Sequence, residues 1–129
     1  MHVMADPSKV VLSCLIVDDN ALFLEGAADL LRREGLDVVG VASNGAEAIQ
    51  LVSELRPDVV LVDIDLGDED GLELAGQLSD LSPQANVILI STHSEEDLAH
   101  LIAATPALGF VPKTRLSAQA IRDLLEDAA

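Results

Sequence analysis

Apolar residues along the chain fall into two patterns, short unbroken runs and stripes at helical spacing. The clearest run is Val59-Val60-Leu61-Val62, which ends in Asp63. It has no polar face, so it reads as a strand covered on both sides of a parallel sheet. Leu12 to Val17, Val38 to Ala42, Val87 to Ile90 and Leu108 to Val111 read as further strands, the last a weaker signal because of its Gly and Pro. Between them lie helix stripes. Leu24, Ala27, Ala28 and Leu31 form one, closed by Gly35. Ala48, Leu51, Val52 and Leu55 form a second, opened by the capping box Asn44-Gly45-Ala46-Glu47 and broken at Arg56-Pro57-Asp58. A third carries Leu74, Leu78 and Leu81 and stops at Ser82-Pro83. Ser94-Glu95-Glu96-Asp97 caps a fourth, with Leu98, Leu101 and Ile102, and Thr105-Pro106 ends it. Ser117 starts a fifth, with Ile121, Leu124, Leu125 and Ala128 on one face.

Five alternations of strand and helix predict an α/β domain with a parallel sheet and helices on both faces, because right-handed crossovers place them there. The 129 residues suffice for one such domain, and at 50% hydrophobic and 23% charged the composition is globular. Residues 1–9 read as a short, loose leader without the pattern of a signal peptide, and residues 10–129 as the domain. No apolar run is long enough to span a membrane. The single cysteine, Cys14, lies inside an apolar run and has no internal disulfide partner, which fits a reducing, cytoplasmic compartment. The formal net charge is −16 with only seven Lys and Arg, so direct nucleic-acid binding by this chain is not expected.

Charge changes the picture most at the strand ends. Asp18-Asp19, Asp63, Ser91-Thr92 and Lys113 each follow or close a predicted strand, and a parallel sheet brings such ends to one edge. Two neighbouring carboxylates with a third nearby repel one another, and a hard divalent cation such as Mg²⁺ relieves that conflict. An ammonium and a hydroxyl add groups that bind phosphoryl oxygens. Taken singly, each residue has a plainer role. Asp18-Asp19-Asn20 suits a helix N-cap, Asp68-Glu69-Asp70 a solvated capping loop, and His93 and His100 the surface.

The order and spacing of Asp18-Asp19, Asp63, Ser91 and Lys113, with Gly71 in the loop after Asp63, resemble the receiver domain of two-component response regulators. The likeness runs from about Val10 to Asp127. It implies a flavodoxin-like, doubly wound (βα)5 fold with strand order 2-1-3-4-5. It also implies that Asp63 is the phosphoacceptor and that Mg²⁺ is held by Asp18, Asp19, Asp63 and the backbone carbonyl of Asp65. Ser91 then takes the place of the family's switch hydroxyl, Lys113 pairs with the phosphoryl group, and Phe110 occupies the aromatic switch position. The implied partners are a sensor histidine kinase or phosphotransfer protein, a downstream protein or output domain, and a second copy in a homodimer. The implied surface change lies around helix 4, strand 5 and helix 5. A regulator of this kind is not an enzyme beyond its own phosphotransfer and dephosphorylation, and His93 lies where it would tune that dephosphorylation.

Three positions depart from the family. Gly67 stands where a proline is usual, so a looser loop is expected. Thr114 replaces the proline after Lys113, so a trans bond there or a shifted loop is expected, because a non-proline cis bond costs about 2.5–4 kcal/mol. Thr92 replaces a common alanine, with bulk that narrows access to the site. Two alternatives stand beside this reading. Asp63-Ile64-Asp65 also resembles the nucleophile motif of haloacid-dehalogenase-like phosphatases, with Asp65 as general acid. A pseudo-receiver would bind partners without phosphate.

Overall fold

The computed structural model describes residues 11–92 and 95–128. The chain runs β1 (Ser13–Val17), α1 (Ala21–Arg33), β2 (Asp37–Ala42), α2 (Gly45–Leu55), β3 (Val59–Asp63), β4 (Asp65–Leu66), β5 (Glu69–Asp70), α3 (Gly71–Leu81), β6 (Asn86–Ser91), α4 (Glu95–Ala103), β7 (Gly109–Pro112) and α5 (Ala118–Ala128). The main sheet has five parallel strands in the order β2-β1-β3-β6-β7. With the two short strands set aside, this is the expected 2-1-3-4-5. The leader, His93 and Ser94 lie outside the described residues.

Period-two alternation along the strands sorts the core into two layers. Leu15 and Val17 of β1 and Val60 and Val62 of β3 face α2, α3 and α4, packing with Val52, Leu78 and Leu98. Cys14, Ile16, Val59 and Leu61 face α1 and α5, packing with Leu31 and Ile121. All of β3 is buried, as a central strand between two helix layers requires.

Helix ends follow local chemistry. Asn20 caps α1 by accepting from Phe23 N–H at 3.1 Å, and Gly35, just past its end, takes φ 97. Asn44 caps α2 by accepting from Glu47 N–H at 2.9 Å, while Glu47 accepts from Ser43 N–H rather than from Asn44 as a capping box would have it. Arg56 ends α2 in the left-handed region that glycine usually fills. Glu34, at the C-cap of α1, accepts from Ala118 N–H at 2.7 Å and so caps α5 across the layer.

The helix faces match their stripes except at three positions. Leu55 and Leu81 are the last residues of α2 and α3 and stand exposed, because no further turn covers their outer side. Leu101 is likewise exposed on α4, where only Leu98 is buried among the three stripe residues.

Candidate functional site

Register places the polar strand ends side by side. Val17 of β1 pairs with Val62 of β3, so Asp18 and Asp63 emerge level. Asp63 pairs with Ile90 of β6, which puts Ser91 one step beyond it, and Ser91 pairs with Pro112 of β7, immediately before Lys113. Asp18, Asp63, Ser91 and Lys113, up to 95 residues apart in sequence, thus meet at the carboxyl edge of the sheet.

One carboxylate oxygen from each of Asp18, Asp19 and Asp63 lies within 4.8 Å of the others. Asp18 is fully buried, Asp63 is 3% exposed, and Asp19 faces solvent. Lys113 Nζ sits 2.6 Å from Asp18 Oδ2 and 3.3 Å from Asp63 Oδ2. The other oxygens are held by the backbone: Asn20 N–H donates to Asp18 Oδ1 at 2.9 Å, and Asp65 N–H donates to Asp63 Oδ1 at 3.2 Å. Asp18 Oδ2 has the ion pair with Lys113 but no hydrogen bond of regular geometry.

Burial pushes the Asp63 carboxyl up to about 6, and the Asp18 charge adds to the rise; Lys113 and the Asp65 N–H pull the other way without cancelling it. For Lys113, burial alone works to lower the pKa, but the close contact with Asp18 and the charges of both carboxylates outweigh it and the net shift is upward. One ammonium pairs with two of the three carboxylates, and Asp18 Oδ2 in the buried part of the cluster lacks a regular hydrogen-bond donor. This donor set suits a hard, oxygen-seeking divalent ion.

The neighbouring residues are placed as follows. Ser91 is fully buried at the end of β6, and Thr92 is exposed. Phe110 is 8% exposed, its ring inside the layer that contains Leu89 and Leu98. The Lys113–Thr114 bond is trans, and Lys113–Arg115 form a 3₁₀ turn. Asp70 caps α3 through Leu72 N–H at 2.9 Å, as the acidic loop predicts, and His100 is exposed on α4.

Two features were not expected from the sequence. Lys113 Nζ lies 4.5 Å from the centroid of the Phe23 ring, a cation–π contact. The aromatic residue just inside a helix facing the site was the available signal. The loop after Asp63 is not irregular either, since β4 and β5 pair antiparallel around Gly67, whose φ of 64 suits the first corner of a two-residue hairpin.

Residues 14–126 match the family model described as response regulator receiver domain. The transcriptional regulatory protein DegU of Brevibacillus brevis is 31% identical over 114 residues, covering 88% of this chain and 48% of that protein. LnrK of Bacillus subtilis is 34% identical over 104 residues, covering 80% of this chain and 47% of its own length. The chain therefore spans about half the length of the curated relatives it matches. Among solved structures, a LuxR-family two-component response regulator from Aurantimonas sp. SI85-9A1 superposes with a TM-score of 0.80 at 28% identity, covering 92% of this chain and 87% of that one. A response regulator from Burkholderia pseudomallei, solved with a phosphorylated aspartic acid and a calcium ion, superposes with a TM-score of 0.72 at 27% identity, covering 91% and 73%.

Proposed function

The chain belongs to the response regulator receiver domain family, and we propose that it is a phosphoacceptor module in which Asp63 takes a phosphoryl group from a histidine kinase or phosphotransfer protein. The observation that carries this reading is the cluster of Asp18, Asp19 and Asp63 around the Lys113 ammonium at the end of the central strand. A carboxylate oxygen of Asp63 attacks phosphorus, the phosphorus–nitrogen bond of the donor phosphohistidine breaks, and the imidazole leaves with the electron pair. Asp18, Asp19, Asp63 and the Asp65 carbonyl would hold Mg²⁺, which would supply positive charge to offset the phosphoryl oxygens. Lys113 then turns its ammonium from Asp63 to the new acyl phosphate. The phosphorylated aspartic acid and calcium ion of the B. pseudomallei regulator support the same chemistry here.

Phosphorylation adds charge and acceptor oxygens. Ser91 and Lys113 bind them, with Phe110 following Ser91, and the surface of α4, β7 and α5 shifts population. A change from 1:99 to 99:1 takes about 5.5 kcal/mol of differential binding. In this reading the module works in the cytoplasm and acts through a downstream protein, an output domain or a second copy. It performs no chemistry beyond its own phosphorylation and dephosphorylation.

Acetyl phosphate with Mg²⁺ tests the reading by intact mass. One phosphoryl group should add to the wild type and none to Asp63→Asn. Repeated turnover of a phosphomonoester would support the phosphatase reading instead. An unchanged mass, with Asp63→Asn binding partners as the wild type does, would leave the pseudo-receiver.

A further inference from the structure

The segment between Asp63 and Gly71 is fixed at three points. At its start, Asp65 N–H holds Asp63 Oδ1. At its end, Gly71 N–H donates to Ile64 O at 3.0 Å. The third point is remote in sequence. Both carboxylate oxygens of Glu69 accept from Gly45 N–H, at 3.1 and 3.2 Å.

Gly45 is the first residue of α2, where backbone N–H groups lack partners inside the helix. Asn44 is already engaged with Glu47 N–H, so Glu69 supplies the acceptor for Gly45 from another part of the fold. The fit depends on the glycine, since a Cβ at position 45 would stand 2.7 Å from Glu69 Oε1.

The contact reaches the site through strand register. Glu69 pairs with Leu66 and Asp70 with Asp65, so anchoring β5 on α2 also fixes β4 and the Asp65 peptide. At the hairpin tip, a Cβ on Gly67 would lie 3.2 Å from Asp19 Oδ2, which sets the turn directly against the carboxylate cluster. Gly67 lacks the ring that would stiffen this turn.

We propose that Glu69 is a positioning residue, a latch from the loop to the start of α2 that holds the Asp65 peptide and the hairpin tip in register with Asp63 and Asp19 for cation uptake. This rests on the reading of Asp63 as an acceptor beside a divalent cation. The latch substitutes for a rigid residue at position 67, and it makes the start of α2 part of the machinery that shapes the site.

The test compares Glu69→Ala with Glu69→Gln in the full chain, by Mg²⁺ titration followed on backbone amide resonances and by hydrogen exchange of residues 64–70 without metal. Glu69→Ala should weaken Mg²⁺ binding about tenfold, the low end for loss of a group that orients metal ligands. It should also speed exchange in the loop while leaving exchange in β1 and β3 unchanged. Glu69→Gln keeps an acceptor oxygen but not the charge, and should recover most of both effects. If Gln is as weak as Ala, long-range charge explains the loss and the latch is overturned. Wild-type affinity or unaltered loop exchange in Glu69→Ala overturns it equally. A wild-type protein that takes up no Mg²⁺, or an Asp19→Asn variant that binds it as well as wild type, sinks the underlying reading and the proposal with it. Equal uptake by wild type and Glu69→Ala sinks the proposal alone.

Discussion

The Lys113 ammonium lies 2.6 Å from Oδ2 of Asp18, the fully buried carboxylate of the cluster. Lysine here acts as resident counter-ion to a group that would otherwise be an uncompensated buried charge. Removing one partner of a buried pair commonly costs 3–5 kcal/mol. Because Lys113 is partly open to solvent, we expect Lys113→Ala to lose about 2–3 kcal/mol of metal-free stability in urea denaturation. The same variant should bind Mg²⁺ more tightly, since no ammonium competes for the carboxylates. Weaker Mg²⁺ binding together with lost stability would show that lysine organises the site rather than competing with the cation.

Asp63 should leave a signature in the pH dependence of stability. Its carboxyl is raised from 3.8 to about 6 in the folded protein. Its stabilising contribution is therefore fully present below pH 3.8 and is lost as pH rises through about 6. Asp63→Asn has no such titration. In metal-free buffer the two proteins should be about equally stable near pH 4, and the variant more stable by about 2–3 kcal/mol at pH 7.5. Denaturation at a series of pH values checks this. A variant less stable than wild type at pH 7.5 would mean that Lys113 compensates Asp63 fully.

Mg²⁺ should offset that difference. Binding to the folded state alone at a hundred times the dissociation constant stabilises by about 2.7 kcal/mol. Asp19 faces solvent, so Asp19→Asn should change metal-free stability by no more than about 0.5 kcal/mol while losing most of the Mg²⁺-induced rise in melting temperature. Full retention of that rise would remove Asp19 from the cation site.

Two glycines should respond very differently to alanine. A Cβ on Gly71 would overlap the carbonyl oxygen of Asp63, a backbone atom that cannot give way locally. A Cβ on Gly109 would meet the Leu124 side chain at 2.7 Å, and its end can rotate. Gly71→Ala should cost about 3 kcal/mol and impair phosphoryl uptake, whereas Gly109→Ala should cost about 1 kcal/mol and leave uptake intact. Similar costs from denaturation curves would contradict this reading.

The fold was readable because five buried runs and their stripes carry period and length information that survives in one dimension. Asp18, Asp19, Asp63, Ser91 and Lys113 were readable because strand ends in a parallel sheet share an edge. Phe23 and Glu69 were not, since each acts on a partner far along the chain: Lys113 in one case and Gly45 in the other. The β4–β5 pair also escaped notice, because strands of two residues are too short to show alternation. Gly71 was visible as a loop match, but its cause, contact with the Asp63 carbonyl, emerges only when α3 is docked on the sheet.

Cys14 has its own consequence. It is fully buried, and burial pushes its thiol up to about 12, so it holds almost no thiolate for maleimide or iodoacetamide chemistry in the native state. The chain also contains no Trp or Tyr. A cysteine introduced at Leu22, 81% exposed and adjacent to Phe23, would therefore carry a fluorophore or spin label on a background that is silent both chemically and optically.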